Sequence, residues 1–254
     1  MSAVPATQPL IEVRDLVQRI GDQEILRGFS LPVHRGETLV LLGRSGGGKS
    51  VFLRHLIGLM RPISGSVLVE GVDIVGFTER QFEPIRRKIG MVFQDGALFD
   101  SMTVFRNVSF PLRERGERDE DILRRKVAET LAMVNMSGSE DKMPVNLSGG
   151  MRKRVALARA IISPPDVILY DEPTAGLDPI VSDSINKLIR RLQRQLQVTS
   201  IVVTHDMTSC YHIADRVALL YQGRVYFYGT TDELRASRDP IISDFVEGRS
   251  DEKD

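Results

Sequence analysis

Eight residues near the start of the chain have the types and spacing that bind phosphate. They fit the pattern G-x-x-x-x-G-K-S, follow an apolar run at Thr38–Leu42 that predicts a strand, and precede Val51–Met60, which predicts a helix. Glycines allow backbone N–H groups to surround an anion, and the helix N-terminus adds the positive end of its dipole. In this pattern Lys49 reaches the β- and γ-phosphates of a nucleotide, and the Ser50 hydroxyl binds Mg²⁺. The eight residues are Gly43, Arg44, Ser45, Gly46, Gly47, Gly48, Lys49 and Ser50.

A second candidate anion site stands at the start of another predicted helix. Leu147, Ser148, Gly149 and Gly150 precede Met151–Ile162, a stretch of good helix formers. A serine and two glycines at a helix start offer a hydroxyl and the first N–H groups of the helix to an anion. The chain therefore carries two candidate phosphate sites.

Two adjacent carboxylates follow a third apolar segment, Val167–Tyr170. Asp171 and Glu172 end this predicted strand and are followed by a proline. A buried strand that delivers carboxylates at its C-terminal end is typical of an open α/β sheet, where ligands bind at the strand ends.

Together these motifs resemble the ATP-binding-cassette ATPases, and the resemblance extends over nearly the whole chain. The LSGGQ signature of that family reads here as Leu147–Met151, with Met151 in place of the usual glutamine. The resemblance implies that Ser148, Gly149 and Gly150 close over the γ-phosphate bound by a second copy of the chain. Two ATP molecules would then be held between two subunits, and activity would need two copies because each chain has one phosphate loop.

The resemblance also assigns the remaining catalytic roles. Asp171 would hold Mg²⁺, and Glu172 would orient the attacking water and accept its proton. Gln94, after the predicted strand Ile89–Phe93, matches a glutamine that binds Mg²⁺ and water and senses the transporter subunit. His205, after a predicted strand at 200–204, matches a switch histidine that contacts the γ-phosphate. Asp178 matches a residue that contacts the opposing subunit.

The position that contacts the adenine base departs from the family pattern. The implied nucleotide contacts include Val51 and, at the place of the usual aromatic residue, Ile20. An aliphatic side chain covers the base without offering a π face, although the neighbouring Arg19 could stack through its guanidinium plane. We therefore expect the site to discriminate between nucleotide bases less strongly than in relatives with tyrosine at this position.

Periodicity predicts the elements that position these residues. Strand-like segments at Leu10–Val17, Glu24–Val33 and Val67–Val72 alternate along the chain with the phosphate-loop strand. Helical spacing over Asp119–Asn135, together with the signature helix, predicts a helical lobe at about residues 95–163. Together with these elements, the family resemblance implies an α/β fold: a P-loop NTPase ABC-ATPase fold with a mixed RecA-like core sheet, an antiparallel β lobe and an inserted helical lobe. We expect a single ABC ATPase domain at residues 10–247, with flexible termini at 1–9 and 248–254.

Composition and charge exclude some function classes. Lys and Arg number 34, as do Asp and Glu, so the formal net charge is zero and a general nucleic-acid partner is not expected. Cys210 is the only cysteine, which excludes an intrachain disulfide. The chain contains no apolar run of about 20 residues and no signal peptide at Met1–Pro9. We therefore expect a soluble chain. The family resemblance implies that it lies on the cytoplasmic side of the inner membrane, held there through a permease.

The segment that follows Gln94 suggests the transporter partner. Within the family this segment receives a helix of an integral membrane permease. The pattern Gln-x-Gly-Ala-Leu-Phe resembles the ATPase of phospholipid-trafficking complexes that work with Mce-domain substrate-binding proteins, of the maintenance-of-lipid-asymmetry type. We expect Ala97, Leu98, Phe99 and Val104 to line the docking groove; the alternative is that they pack inside the helical lobe.

Two alternative functions stay open at this point. Amino-acid and other small-solute importer ATPases share the pattern Thr-Val-x-x-Asn-Val that begins at Thr103. A non-transport ABC protein of translation or DNA maintenance is a further class. Such proteins usually have two cassettes or long insertions, and the chain shows neither.

Overall fold

The computed structural model describes residues 8–249. Predictions made for residues 1–7 and 250–254, including their flexibility, lie outside this range. The chain divides into two compact units. Among the described residues, one unit contains 8–85 together with 203–249, and the other is Arg86–Val202. The prediction of a single domain at 10–247 stays a prediction.

The first unit contains the predicted antiparallel β lobe. Its sheet has the order β2-β1-β4-β5, and each neighbouring pair is antiparallel. Alternation along the first strand places Ile11 and Val13 in the core, and a change of register at Asp15, whose φ is +47°, keeps Leu16 buried as well. The four strands are β1 Ile11–Ile20, β2 Gln23–Val33, β4 Ser64–Val69 and β5 Val72–Asp73.

The phosphate-loop strand, β3 Thr38–Gly43, belongs to a different sheet although it lies between these strands in the chain. All six of its residues are buried, as expected for a strand covered on both faces. It pairs in parallel with β9 Arg216–Tyr221, which forms an antiparallel hairpin with β10 Arg224–Gly229. The unit also contains the helices α1 Lys49–Leu56, α7 Met207–Ile213, α8 Thr231–Ala236 and α9 Pro240–Glu247.

The second unit contains the predicted helical lobe and further strands. Strands β6 Ile89–Val92 and β7 Val167–Asp171 are parallel neighbours, and β8 Thr199–Thr204 lies next to β7. Helix α2 Glu79–Arg87 leads into the unit. The remaining helices are α3 Val104–Glu114, α4 Glu120–Met133, α5 Gly149–Ile161 and α6 Pro179–Leu196, with a 3-10 turn at Pro144–Asn146.

Polar side chains fix the starts of these helices. Thr103, Asp119, Ser148 and Asp178 each accept a hydrogen bond from an N–H group in the first turn that follows. Proline at the first position of α6 needs no N–H partner there. Two of the four caps, Ser148 and Asp178, are therefore also residues for which the sequence predicts a functional role. Within residues 8–249, no helix is both long enough and apolar enough to cross a membrane.

Candidate active site

The predicted site residues fall in both compact units, and each group can be described within its own unit. In the first unit, the loop after β3 takes backbone conformations that favour glycine. Gly46 and Gly48 have φ angles of +75° and +107°. A Cβ atom at Gly48 would also lie 2.8 Å from Cγ2 of Ile25. The glycine-rich composition is therefore required by the shape of the loop.

Lys49 is held against the main chain of this loop. Its side chain is 6% exposed, and its Nζ donates to the carbonyl oxygens of Gly43 at 2.7 Å and Arg44 at 3.1 Å. The loop thus combines the first N–H groups of α1 with a fixed positive charge. Both are the groups that bind a phosphate in this type of loop.

The other predicted nucleotide contacts of the first unit lie at the ends of elements. Ser50 is half-buried in the first turn of α1, and Val51 is buried beside it. Ile20 is the last residue of β1 and is 49% exposed, so an apolar side chain is available at this strand end. His205 is exposed directly after β8, where Asp206 caps α7.

In the second unit, β7 delivers the two carboxylates as the sequence predicts. Val167–Tyr170 is buried, Asp171 is half-buried, and Glu172 is 8% exposed. The φ angle of Glu172 is +46°, in the left-handed region that residues with a Cβ seldom occupy. Such a conformation costs on the order of 1–3 kcal/mol and persists only where the surrounding contacts hold it.

The signature residues pack against the segment that contains Asp178. The Ser148 hydroxyl caps α5 by accepting from the N–H of Met151 at 3.3 Å. A Cβ at Gly149 would approach Leu177 to 3.1 Å, and one at Gly150 would lie 2.6 Å from Cγ1 of Val181. These glycines therefore allow close packing within the unit, a role that the sequence analysis did not assign to them.

Ser148 and Gly149 are exposed, whereas Gly150 is buried. The side-chain oxygen of Asp178 accepts from the N–H groups of Ile180 and Val181, both at 3.0 Å. The exposed part of the signature is thus the hydroxyl-bearing residue and the first residue of α5. Both are accessible to an anion brought from outside the unit.

The segment after Gln94 forms one wall of a groove of about 470 Å³. Arg159 fixes this wall by donating to the carbonyl oxygens of Gly96 and Ala97, both at 2.8 Å, and its guanidinium lies 5.8 Å from the ring centre of Phe99. That ring contacts the ring of Phe110, with their centres 4.9 Å apart. The groove has an aromatic and a basic set of lining residues, Phe93, Phe99, Phe110, Arg86, Arg87, Arg115 and Arg159.

The structure divides the four residues predicted to line a docking groove. Ala97 and Phe99 line the groove of about 470 Å³, Leu98 is half-buried, and whether this groove receives a partner stays a prediction. Val104 is fully buried at the start of α3, so the prediction is wrong for this residue. The start of α3 is held against a segment distant in sequence, since the N–H groups of Val104 and Phe105 donate to the carbonyl oxygens of Lys142 and Glu140, both at 2.8 Å.

Comparison with known proteins agrees with the geometry. The family model "ABC transporter" matches residues 26–175. The "Probable ribonucleotide transport ATP-binding protein mkl" of Mycobacterium tuberculosis is 41% identical over 251 residues, which cover 96% of this chain and 70% of that protein. The "Intermembrane phospholipid transport system ATP-binding protein MlaF" of Haemophilus influenzae is 40% identical over 244 residues, covering 96% and 92%. Among solved structures, cbiO1 of Clostridium perfringens, described as part of an ABC transporter complex, has a TM-score of 0.83 at 32% identity and covers 94% of this chain and 95% of its own.

Proposed function

We propose, from the premise that this chain belongs to the ABC transporter family of ATP-hydrolysing proteins, that it powers the movement of phospholipid between two membranes. The observation that carries the ATPase part is the glycine-built loop after β3, which holds Lys49 on its own carbonyl oxygens. The phospholipid part is supported by the likeness to the MlaF protein, which extends over almost the full length of both chains.

In the proposed mechanism the phosphate loop binds the nucleotide. The N–H groups of Gly43–Ser50 donate hydrogen bonds to the phosphates, and the Lys49 ammonium offsets their negative charge. Val51 and Ile20 contribute apolar contacts. Glu172 accepts a proton from the attacking water, and a positioned general base contributes about 10²- to 10⁴-fold to a rate. His205 contacts the γ-phosphate. The side chain of Gln94 orients the water.

The chemistry of the donor set fits Mg²⁺. Ser50, Gln94 and Asp171 offer a hydroxyl, an amide oxygen and a carboxylate, which are the hard oxygen ligands that Mg²⁺ takes together with substrate phosphates. We propose that these three residues hold the ion. Bound Mg²⁺ would offset the negative charge that develops on the transferred phosphoryl group.

A second copy of the chain completes each ATP site in this proposal. The support comes from the start of α5, where Ser148 and Gly149 suit an anion. Both residues are exposed, so they can reach a phosphate that another copy holds. The signature of one copy would cover the γ-phosphate bound by the other. Asp178, on the segment packed against the signature glycines, would lie at the contact between the copies.

The groove beside Phe99 is the proposed contact with an integral membrane permease. Its apolar aromatic wall favours burial against a partner, at about 25 cal/mol per Å² of apolar area. The chain would thereby be peripheral on the cytoplasmic side of the inner membrane, in a complex that also contains an Mce-domain substrate-binding protein. No nucleic acid has a role in this proposal.

Ala97→Arg is expected to remove the chain from its transporter. The substitution adds bulk and a further positive charge to a groove already lined by arginines, so retention by the membrane subunit should fall more than about tenfold. Thermal stability and ATP binding of the isolated chain should be unchanged because Ala97 is exposed. The measurement is co-purification with the membrane subunit from detergent extract. Ala97→Ser is the matched control, and an Ala97→Arg chain that is retained normally would place the permease contact elsewhere.

The substrate class is tested in the purified complex. The amount of phospholipid bound to the complex, and the transfer of labelled phospholipid between donor and acceptor vesicles, should both depend on ATP. An amino-acid or other small-solute importer is the alternative, favoured by the Thr-Val-x-x-Asn-Val pattern at the start of α3. ATP-driven uptake of a small solute without phospholipid transfer would support that alternative and exclude the first.

A further inference from the structure

A lysine in the signature helix contacts the main chain beside two proposed catalytic residues. Lys153 lies in the middle of α5 and is 7% exposed. Its Nζ donates to the carbonyl oxygen of Gln94 and, at 3.2 Å, to that of Glu172. All three residues belong to the unit Arg86–Val202. One ammonium group therefore joins the signature helix to the peptide after β6 and to the peptide after β7.

Burial makes this position unfavourable for a charged lysine unless hydrogen bonds or opposite charges stabilise the ammonium. Burial lowers the pKa of Lys153, and the nearby carboxylates of Asp95, Glu172 and Asp171 act in the opposite direction. An ammonium has three donors and no acceptor, so it can serve several carbonyl oxygens at once. A buried side chain of the same length without donors would leave these contacts unmade.

The contact with Glu172 coincides with the left-handed backbone at that residue. Its carbonyl oxygen accepts from Lys153 and from the N–H of Ala175 at 3.2 Å. A strained conformation is kept only by contacts that favour it over the relaxed alternatives. The Lys153 ammonium is one such contact, and it comes from the preceding helix, 19 positions earlier in the chain.

We propose that Lys153 is a positioning residue for ATP hydrolysis, which fixes the main chain at Gln94 and Glu172 relative to the signature helix. The inference rests on the proposed role of Glu172 as the base. Because Ser148 begins the same helix, the placement of the base and of the Gln94 loop depends on the element that also carries the signature serine. Lys153 itself does not contact the nucleotide in this proposal.

Lys153→Met is the central test because methionine keeps an apolar chain of similar length without donors. We expect kcat for ATP hydrolysis in the transporter complex to fall about 10- to 100-fold, the size of effect that a small displacement of a catalytic group produces. The KM for ATP should stay within about threefold. Lys153→Arg, which keeps the charge and the donors, should restore kcat to within about fivefold of the wild type. The matched control is Lys187→Met on α6, whose side chain is 77% exposed.

Two readouts separate positioning from a purely structural role. Lys153→Met should retain bound ATP longer than the wild type, because binding persists while hydrolysis slows. Added to Glu172→Gln, it should lower turnover by much less than it does alone, because both changes affect one step. If Lys153→Met folds poorly, Lys153→Gln, which keeps an amide donor, serves in its place with a smaller expected loss.

Three results would overturn the inference. They are a wild-type kcat in Lys153→Met, a loss of kcat that Lys153→Arg does not restore, and a loss that multiplies fully with that of Glu172→Gln. Failure of the proposed base is distinguished by Glu172→Gln alone: if that variant hydrolyses ATP normally, the role of Glu172 is wrong whatever Lys153 does.

Discussion

Replacing Glu172 by glutamine should lower the rate of ATP hydrolysis by about 10²- to 10⁴-fold while ATP stays bound. The amide has nearly the same shape as the carboxylate but cannot accept the proton of the attacking water. The residue is 8% exposed at the end of β7, so a replacement of nearly the same volume should preserve the packing around it. Phosphate release by the purified complex and ATP retained after rapid removal of free nucleotide are the two measurements.

Controls for this prediction separate the base from the rest of the site. Glu129→Gln, at an exposed position of α4, should hydrolyse ATP at the wild-type rate. Lys49→Ala should fail earlier, with weak nucleotide binding, because it removes the charge held on the loop carbonyls. Normal turnover in Glu172→Gln would exclude this residue as the base. Loss of ATP binding in the same variant would instead indicate a structural role.

Ser148→Arg is the second substitution with a large expected effect. It places a long cation where the signature would cover the partner's ATP, so closure of the two copies should fail. We expect a loss of at least about 10²-fold in turnover, comparable to removing a donor that stabilises a developing charge. ATP binding to the phosphate loop of the same chain should change little. The measurements are turnover, nucleotide affinity and ATP-dependent pairing by light scattering.

The helix cap provides the control for Ser148→Arg. Because Ser148 caps α5, its loss also costs about 1 kcal/mol of stability. Asp119→Arg removes a comparable cap from α4 in the same unit and should retain turnover. If both variants lose activity equally, the cap explains the defect. If Ser148→Arg alone pairs and hydrolyses normally, the signature does not cover ATP.

Much of the local structure follows from the sequence because its causes are local. The phosphate loop needs glycine at positions with positive φ, and the strand before it reads as a continuous apolar run. The carboxylates at the end of β7 are predicted from the apolar run that precedes them. Helix starts at Ser148 and Asp178 follow from side-chain capping. These features depend on a few consecutive residues.

The contacts that hold the second unit together depend on elements far apart in sequence. Lys153 and Arg159 donate to main-chain carbonyl oxygens 59 to 63 positions away, and any residue has such a carbonyl. Their spacing on α5 resembles that of an ordinary charged helix face. The same holds for Gly150, which packs on Val181, and for Val104, which is buried rather than exposed to a partner. No pattern in the neighbouring sequence distinguishes these residues from residues of the same type that make no such contact.

Two copies of the chain are expected to build each ATP site together, and cross-linking tests this most directly. Ser45→Cys in one tagged chain and Ser148→Cys in another can be combined in the Glu172→Gln background and treated with a short thiol-specific cross-linker. The natural Cys210 should not interfere, since it is fully buried and burial raises its pKa to about 12, which leaves little thiolate to react. We expect a cross-linked pair of chains that forms only with ATP and only when both variants are mixed. No cross-link in the mixture, together with an internal cross-link in a single chain carrying both cysteines, would contradict it.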